Sequence, residues 1–247
     1  MSVIAGYVGR LISSLSKVAD TNQQNGVVDA YGLLRVNALS ASDAGASDEG
    51  SYYTSSNGVV GAPIAGQTTN SPNTLTPSDV APELVIENNN AVGGKNIVLR
   101  RIVRVITNPG TASQTGISIQ CQLDAGLLYT SGGTALVVKN QNPLGPTSGA
   151  LAWAGAIVKA AKVAPVYCGR SSPRSTLAII NDELYFDFGS PGIGSSTYAV
   201  ATVAGRFVIP MPPVVIPPQY TWSMHFAYGL TVTGSPTSDW EVGHIER

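Results

Sequence analysis

Large apolar residues alternate with small ones near the end of the chain: Tyr220, Trp222, Met224, Phe226, Tyr228, Leu230 and Val232 fall on one side. Thr221, Ser223, His225, Ala227, Gly229 and Thr231 fall on the other. Strand side chains repeat with period two, so this is a long strand with one large apolar face and one small, mostly polar face. The stretch before it carries Pro210, Pro212, Pro213, Pro217 and Pro218, which rules out a helix interior or a central strand there. Other strand patterns run over 83–87, over the β-branched stretch 95–107 closed by Asn108-Pro109-Gly110, and over 115–123. Residues 127–129 and 134–139 flank a Ser131-Gly132-Gly133 turn. Segment 153–168 is apolar and fits one bent strand or two, while its alanines also permit a helix. Segments 176–180, 184–188, 198–203, 206–211 and 239–245 complete the series. About nine or ten strands, turn signals roughly every ten residues and no alternating helical rhythm predict an all-β, antiparallel β-sandwich or barrel. Over roughly 160 residues, size favours a jelly-roll type sandwich.

The N-terminal part has a different pattern. Ile4, Val8, Leu11, Leu15 and Val18 recur at three- and four-residue steps, with Tyr7 and Ile12 broadening the stripe, which predicts an amphipathic helix over 1–19. Such a helix is too short to stand alone in water, so it docks on its own domain or on a neighbouring subunit. Residues 20–82 are dominated by Ser, Thr, Asn, Gly, Ala and Pro, with short apolar islands at 31–36, 52–53 and 59–64. A stretch of some 60 residues with little periodicity is too long for a connecting loop in a compact domain. The expected organisation is a docking helix at 1–19, an extended arm at 20–82 and a β-sandwich at 83–247.

Charge narrows the partners. Charged residues are 12% of the chain, against roughly 25% in an ordinary soluble domain. With a net charge of -1, long-range attraction to nucleic acid or acidic membranes has little to act on, so no direct nucleic-acid binding is expected. No run reaches the ~18 apolar residues of a membrane span, and residues 1–19 lack a secretory-signal pattern. Cys121 lies in phase with Ile117, Ile119 and Leu123 and reads as a buried thiol; a bridge to Cys168 stays open. A reducing compartment is expected.

Candidate chemistry is sparse. His225 lies on the small face of the long strand, and His244-x-Glu246 is only a fragment of a metal site, which needs three or four ligands. No Gly-x-Ser-x-Gly elbow or phosphate loop occurs, and Gly189 to Gly194 reads as a loop. A glycosidase would need two carboxylates flanking a groove, for which Asp182, Glu183 and Asp187 are the candidates. Arg100 and Arg104 share a strand face with Ile102 between them, while Arg101 points the other way. Guanidinium forks of this kind suit carboxylates within a sheet or across a protein interface. No catalytic, metal or cofactor site is expected; Tyr7, Leu11, Leu15, Arg100 and Arg104 are the candidate partner-docking residues.

Several phrases resemble structural proteins of tailed double-stranded DNA bacteriophages. Asp29-Ala30-Tyr31-Gly32-Leu33-Leu34-Arg35-Val36 is similar to a phrase near their N-termini. So is Ser131-Gly132-Gly133-Thr134-Ala135-Leu136 followed by Asn140-Gln141-Asn142-Pro143. Val215-Ile216-Pro217-Pro218 before a long aromatic strand also matches, with Gln219 where glycine is usual. The resemblance implies a β-sandwich cement, decoration or minor capsid subunit, made in the host cytoplasm and bound in the virion to the major capsid protein, often as a homotrimer. The rival expectations are a tail, fibre or host-attachment protein that binds a surface glycan through loops such as 142–149 or 189–194, and a jelly-roll carbohydrate-active enzyme.

Overall fold

The computed structural model describes residues 27–28, 34–35, 43–59, 61–67, 78–109, 117–174, 179–189, 204–228 and 236–247. Two compact units divide the chain, residues 1–48 and 49–247. In the first, β1 (Val27–Val28) pairs antiparallel with β2 (Leu34–Arg35), and a short helix α1 (Asp43–Asp48) begins with Asp43 in its first turn. The helix expected at 1–19, with Tyr7, Leu11 and Leu15, lies outside the described residues.

The second unit is a β-sandwich. Its early strands are β3 (Tyr52–Ser56), β4 (Ile64–Ala65), β5 (Leu84–Asn88), β6 (Ile97–Asn108), β7 (Ile117–Ala125), β8 (Tyr129–Ala135) and β9 (Val137–Asn140). Then come β10 (Ala150–Lys159), β11 (Val166–Arg174), β12 (Glu183–Phe188), β13 (Arg206–Met211), β14 (Val215–Ile216), β15 (Tyr220–Tyr228) and β16 (Thr237–Glu246). One sheet is antiparallel, in the order β11-β7-β15-β5-β10-β8. The other has eight strands, β13-β12-β6-β16-β3-β9 with β14 on β6 and β4 on β16. This second sheet is mixed, because β12 and β13 run parallel.

The core fills the space between the sheets. Trp222, Met224 and Phe226 of β15 project into it with Leu84 and Ile86 of β5. They meet Ile102 and Ile106 of β6, Phe186 and Phe188 of β12, and Trp240 and Val242 of β16. Two edge-to-face pairs link the layers: Phe188–Trp222 at 5.8 Å and Phe226–Trp240 at 5.9 Å between ring centroids. Fully burying one such side chain contributes about 1.5–3 kcal/mol, so the alternation of β15 is a large part of what holds the layers together. Cys121 is buried as expected, and Cys168 accepts the Trp222 indole N–H at 3.2 Å; both are free thiols.

Several expectations are corrected. The sandwich starts at Glu49 rather than at residue 83, because β3 lies between β16 and β9 and β4 pairs with β16. Ser131-Gly132-Gly133 does not turn the chain but runs inside β8. Gly132 and Gly133 take φ of +78° and +64° opposite a bulge in β10 at Gly155-Ala156, and a Cβ at either would meet a β10 carbonyl at 2.4 or 2.7 Å. For segment 153–168, where one bent strand, two strands or a helix stood open, the structure has two strands, β10 and β11. Ile180 sits in a turn, and the strand expected at 198–203 lies outside the described residues. Gln219 adopts the left-handed region, φ +63°, where glycine is favoured. Its N–H donates to Asn88 O and its amide to Asn90 O, which offsets the strain.

The sheet edges carry interruptions. β13 contains Pro210 and β11 contains Pro173, neither of which has an N–H to offer; β8 carries two glycines at positive φ opposite the β10 bulge, and β9 spans four residues with exposed Lys139.

Candidate functional site

The arginines of β6 show how one strand serves two environments. The pairing of β6 with β16 slips between Gly243 and His244, leaving Arg100 as an extra residue in a bulge. Ile97 and Leu99 face the core before the bulge, and Ile102, Arg104 and Ile106 face it afterwards. The expected common face for Arg100 and Arg104 therefore does not exist. Arg104 is 1% exposed, ion-paired with buried Glu83 at 2.9 Å, and donates from Nε to Ser238 Oγ at 2.9 Å. Its guanidinium lies 4.4 Å from the Phe226 ring centroid and 5.1 Å from that of Trp240. Enclosed between the sheets, it has no reach to an outside partner.

Arg101 takes the outward place. It pairs with Glu241 at 2.6 Å, with side chains 38% and 43% exposed. Across this outer face, Tyr185, Val103, Glu241 and Ser56 stand in one register row. Asp187, Arg101, Gly243, Thr54 and Lys139 form the next row. Arg206 reaches over from β13 to Glu183 at 3.0 Å and stacks 4.7 Å above the Tyr185 ring. The face is half-exposed and carries both signs of charge. At one end, Ser56, Asn57, Gly58, Val59, Gly61, Asp239 and Trp240 line a cleft of about 320 Å³. There Asn57 donates to Asp239 Oδ1 at 2.6 Å and accepts from the Trp240 N–H at 2.9 Å.

The outer face of the antiparallel sheet is roofed by the protein's own chain. His225 Nδ1 lies 2.9 Å from Ser78 O, so it carries the proton, and Nε2 accepts from Ser223 Oγ at 2.9 Å. Burial, reinforced by Lys159, lowers the His225 pKa to about 4, so the imidazole is neutral. Lys159 meets Asp79 at 3.7 Å, and Gln122 donates to the same carboxylate at 3.1 Å. Asp124 accepts the N–H groups of Val163 and Ala164 at 2.8 and 3.0 Å. Glu87 Oε1 accepts from the Tyr129 N–H at 2.7 Å and contacts Thr221 Oγ1 at 3.0 Å. Tyr129 stacks on Trp153 at 3.9 Å. These contacts fasten segments 78–82, 126–130 and 159–164 to the sheet. Ser223 and His225 are 1% and 2% exposed, so this serine–histidine pair is enclosed and holds the roof in place.

Asp182 is buried and accepts the N–H groups of Ile179 and Gly205 at 2.8 and 3.0 Å. Glu183 and Asp187 stand four residues apart on one strand, about 13 Å, beyond the roughly 5–9.5 Å of glycosidase carboxylate pairs. His244 and Glu246 are 3.7 Å apart, with His244 stacked on Tyr53. Burial pushes the Glu246 carboxyl up, but hydrogen bonds from His244, Ser148 and the Gly149 N–H together hold it below the ordinary range. Among the described residues no three His, Cys, Asp or Glu side chains gather as metal ligands.

Sequence reasoning missed Glu83, Asp79, Asp124 and Glu87 as partners of buried polar groups, and missed the Tyr185–Arg206–Glu183 and Arg101–Glu241 groupings. Each is assembled from distant strands, so no spacing along the chain announces it. No family model, curated protein or solved structure matches this chain.

Proposed function

We propose that this chain is a non-enzymatic structural protein of a tailed bacteriophage virion: a cement, decoration or minor capsid subunit that binds and stabilises the capsid lattice. The observation that carries the reading is the half-exposed outer face of the eight-stranded sheet, with its paired charges and the Arg206–Tyr185 stack, in a sandwich whose other face is roofed. Mixed charges on a rigid face suit contact with another protein by shape and orientation. The phrases at 29–36, 131–143 and 215–218 support the same placement by resemblance. A jelly-roll winding goes with it, supported by β5, β6 and β7, and again β8, β9 and β10, alternating between the two sheets. The major capsid protein is the proposed partner and a homotrimer the proposed assembly.

Copy number per purified particle, from quantitative mass spectrometry, tests this: a shell component is abundant and a tail-tip component scarce. Deleting residues 1–48 should leave a folded sandwich that no longer joins particles; deleting further would remove β3 and uncover β16. Turnover of a sugar or ester, or absence from particles, would overturn the reading. A glycan-binding tail or fibre protein is the second reading, favoured by the cleft beside Asn57, Asp239 and Trp240. Loss of glycan binding on Asp239→Ala would select it.

A further inference from the structure

The chain's two cysteines, far apart in sequence, come side by side at one margin of the antiparallel sheet. β11 ends the sheet order and β7 is its hydrogen-bonded neighbour. Their register pairs Val166 with Leu123, Tyr167 with Gln122 and then Gly169 with Cys121, so Cys168 and Gly169 together oppose Cys121. That is a bulge in β11, two residues against one. Residues opposed across an antiparallel pair have Cα atoms about 4.5–5.5 Å apart, inside the roughly 4.4–6.8 Å range of a disulfide.

Both thiols lie on the inner face. Cys121 is fully buried in the core cluster, and Cys168 packs against the same cluster. The Trp222 indole reaches across β7 to donate to Cys168 Sγ at 3.2 Å. Trp222 is two residues along β15 from Met224, which stands opposite Cys121. Gly169 contributes no side chain, and a Cβ there would meet Met211 Cε at 2.4 Å. The bulge therefore sets the two sulfurs beside each other with no β11 side chain to separate them.

We infer that Cys121 and Cys168 form a disulfide in the folded protein when it meets a small-molecule disulfide of the glutathione class, fastening β11 to β7. The Cys168 thiol, half-buried at the margin, loses its proton and attacks one sulfur of the small disulfide. That S–S bond breaks, and the departing thiolate takes up the proton. Cys121, deprotonated in turn, attacks the Cys168 sulfur of the mixed disulfide and expels the second small thiolate, which is protonated. Two protein thiols are oxidised by two electrons, and one small disulfide is reduced to two thiols.

The surroundings make the first step slow. Burial pushes the Cys168 thiol up to about 11, against the indole hydrogen bond that lowers it, so little thiolate exists near neutrality. Burial raises Cys121 well above the ordinary range, and the charge of a Cys168 thiolate raises it further. Brief oxidation thus leaves the thiols free, and lasting exposure closes a loop of about 47 residues around a strand at the sheet margin. The inference does not depend on the virion role.

The test exposes the full chain, purified with both thiols reduced, to oxidised glutathione at about pH 8.5. Urea below the unfolding midpoint is included, so that opening of β11 does not limit the reaction. After an acid quench and alkylation in denaturant, the intact mass should be that of a monomer lighter by about 2 Da that takes up no alkylating agent. The bridge should raise the melting temperature by roughly 5 °C or more, and dithiothreitol should reverse the gain. Without urea, the oxidation rate should rise about tenfold per pH unit between pH ~7 and ~9. Cys121→Ala should stop at one glutathione on Cys168 with no thermal gain, and Cys168→Ser should keep its remaining thiol unmodified. Two thiols still free in wild type overturn the inference, as do a glutathione on each cysteine or disulfide-linked dimers. A bridge that leaves the melting temperature unchanged overturns the fastening of β11. These wild-type readouts decide the matter whether or not either variant folds.

Discussion

The two outer faces of the sandwich use similar side chains to opposite ends. On the antiparallel sheet, Glu87, Asp124, Lys159, Thr221, Ser223 and His225 lie beneath chain segments and hold them down. On the mixed sheet, Glu183, Asp187, Arg206, Arg101 and Glu241 pair with one another or stand at the surface, half in water. Under cover, a carboxylate that loses its partner strands backbone donors away from water. In the open, solvent replaces whatever is lost. Polar chemistry on the first face is therefore committed to stability, while on the second it remains available to a partner.

The interior sets the upper limit of that contrast. Arg104→Ala strands Glu83 without its cation and should cost about 3–5 kcal/mol in urea unfolding. A loss below 1 kcal/mol would mean that enclosure matters little here. Asp124→Ala should follow at about 2–4 kcal/mol, because the Val163 and Ala164 N–H groups lose their acceptor. Hydrogen exchange should show segment 159–164 opening first.

His225 sharpens the same difference through pH. Its folded pKa of about 4 lies below the ordinary 6.5, so the folded state takes up its proton later than the unfolded state. Its contribution is fully present above pH ~6.5 and is lost as pH falls toward 4. Between pH 7 and pH 5 the protein should lose about 2 kcal/mol, and His225→Gln should flatten that slope. On the open face, Arg101→Ala should cost less than about 1 kcal/mol. If Arg101→Ala and Asp124→Ala cost the same, the distinction between the faces fails.

How much of this was legible depends on the reach of each interaction. β12, β13, β15 and β16 were visible because their alternation is local and uninterrupted. The bulge at Arg100 was not, because the slip is set by pairing with Gly243 and His244, about 140 residues away along the chain. Gly132-Gly133 misled because positive φ serves a bulge as readily as a turn. β3 and β4 hid in a Ser- and Gly-rich stretch because their pairing partner, β16, is the last strand. The small face of β15 gave no sign that it lies under a roof, since burial there comes from loops arriving from three other places. The open face is likewise a composite of residues from β3, β6, β12, β13 and β16, and no motif marks it.

The prolines and the paired glycines of β8 at the margins of the sheets bear on how such a protein can be made in quantity. A crowded cell full of β-rich subunits risks fibres, in which one molecule's border hydrogen-bonds to the next without limit. Pro210 and Pro173 each interrupt that ladder, and a twisted, glycine-kinked margin at β8 fits a flat copy of itself poorly. Growth of the sheets by backbone pairing from one molecule to the next is thereby discouraged.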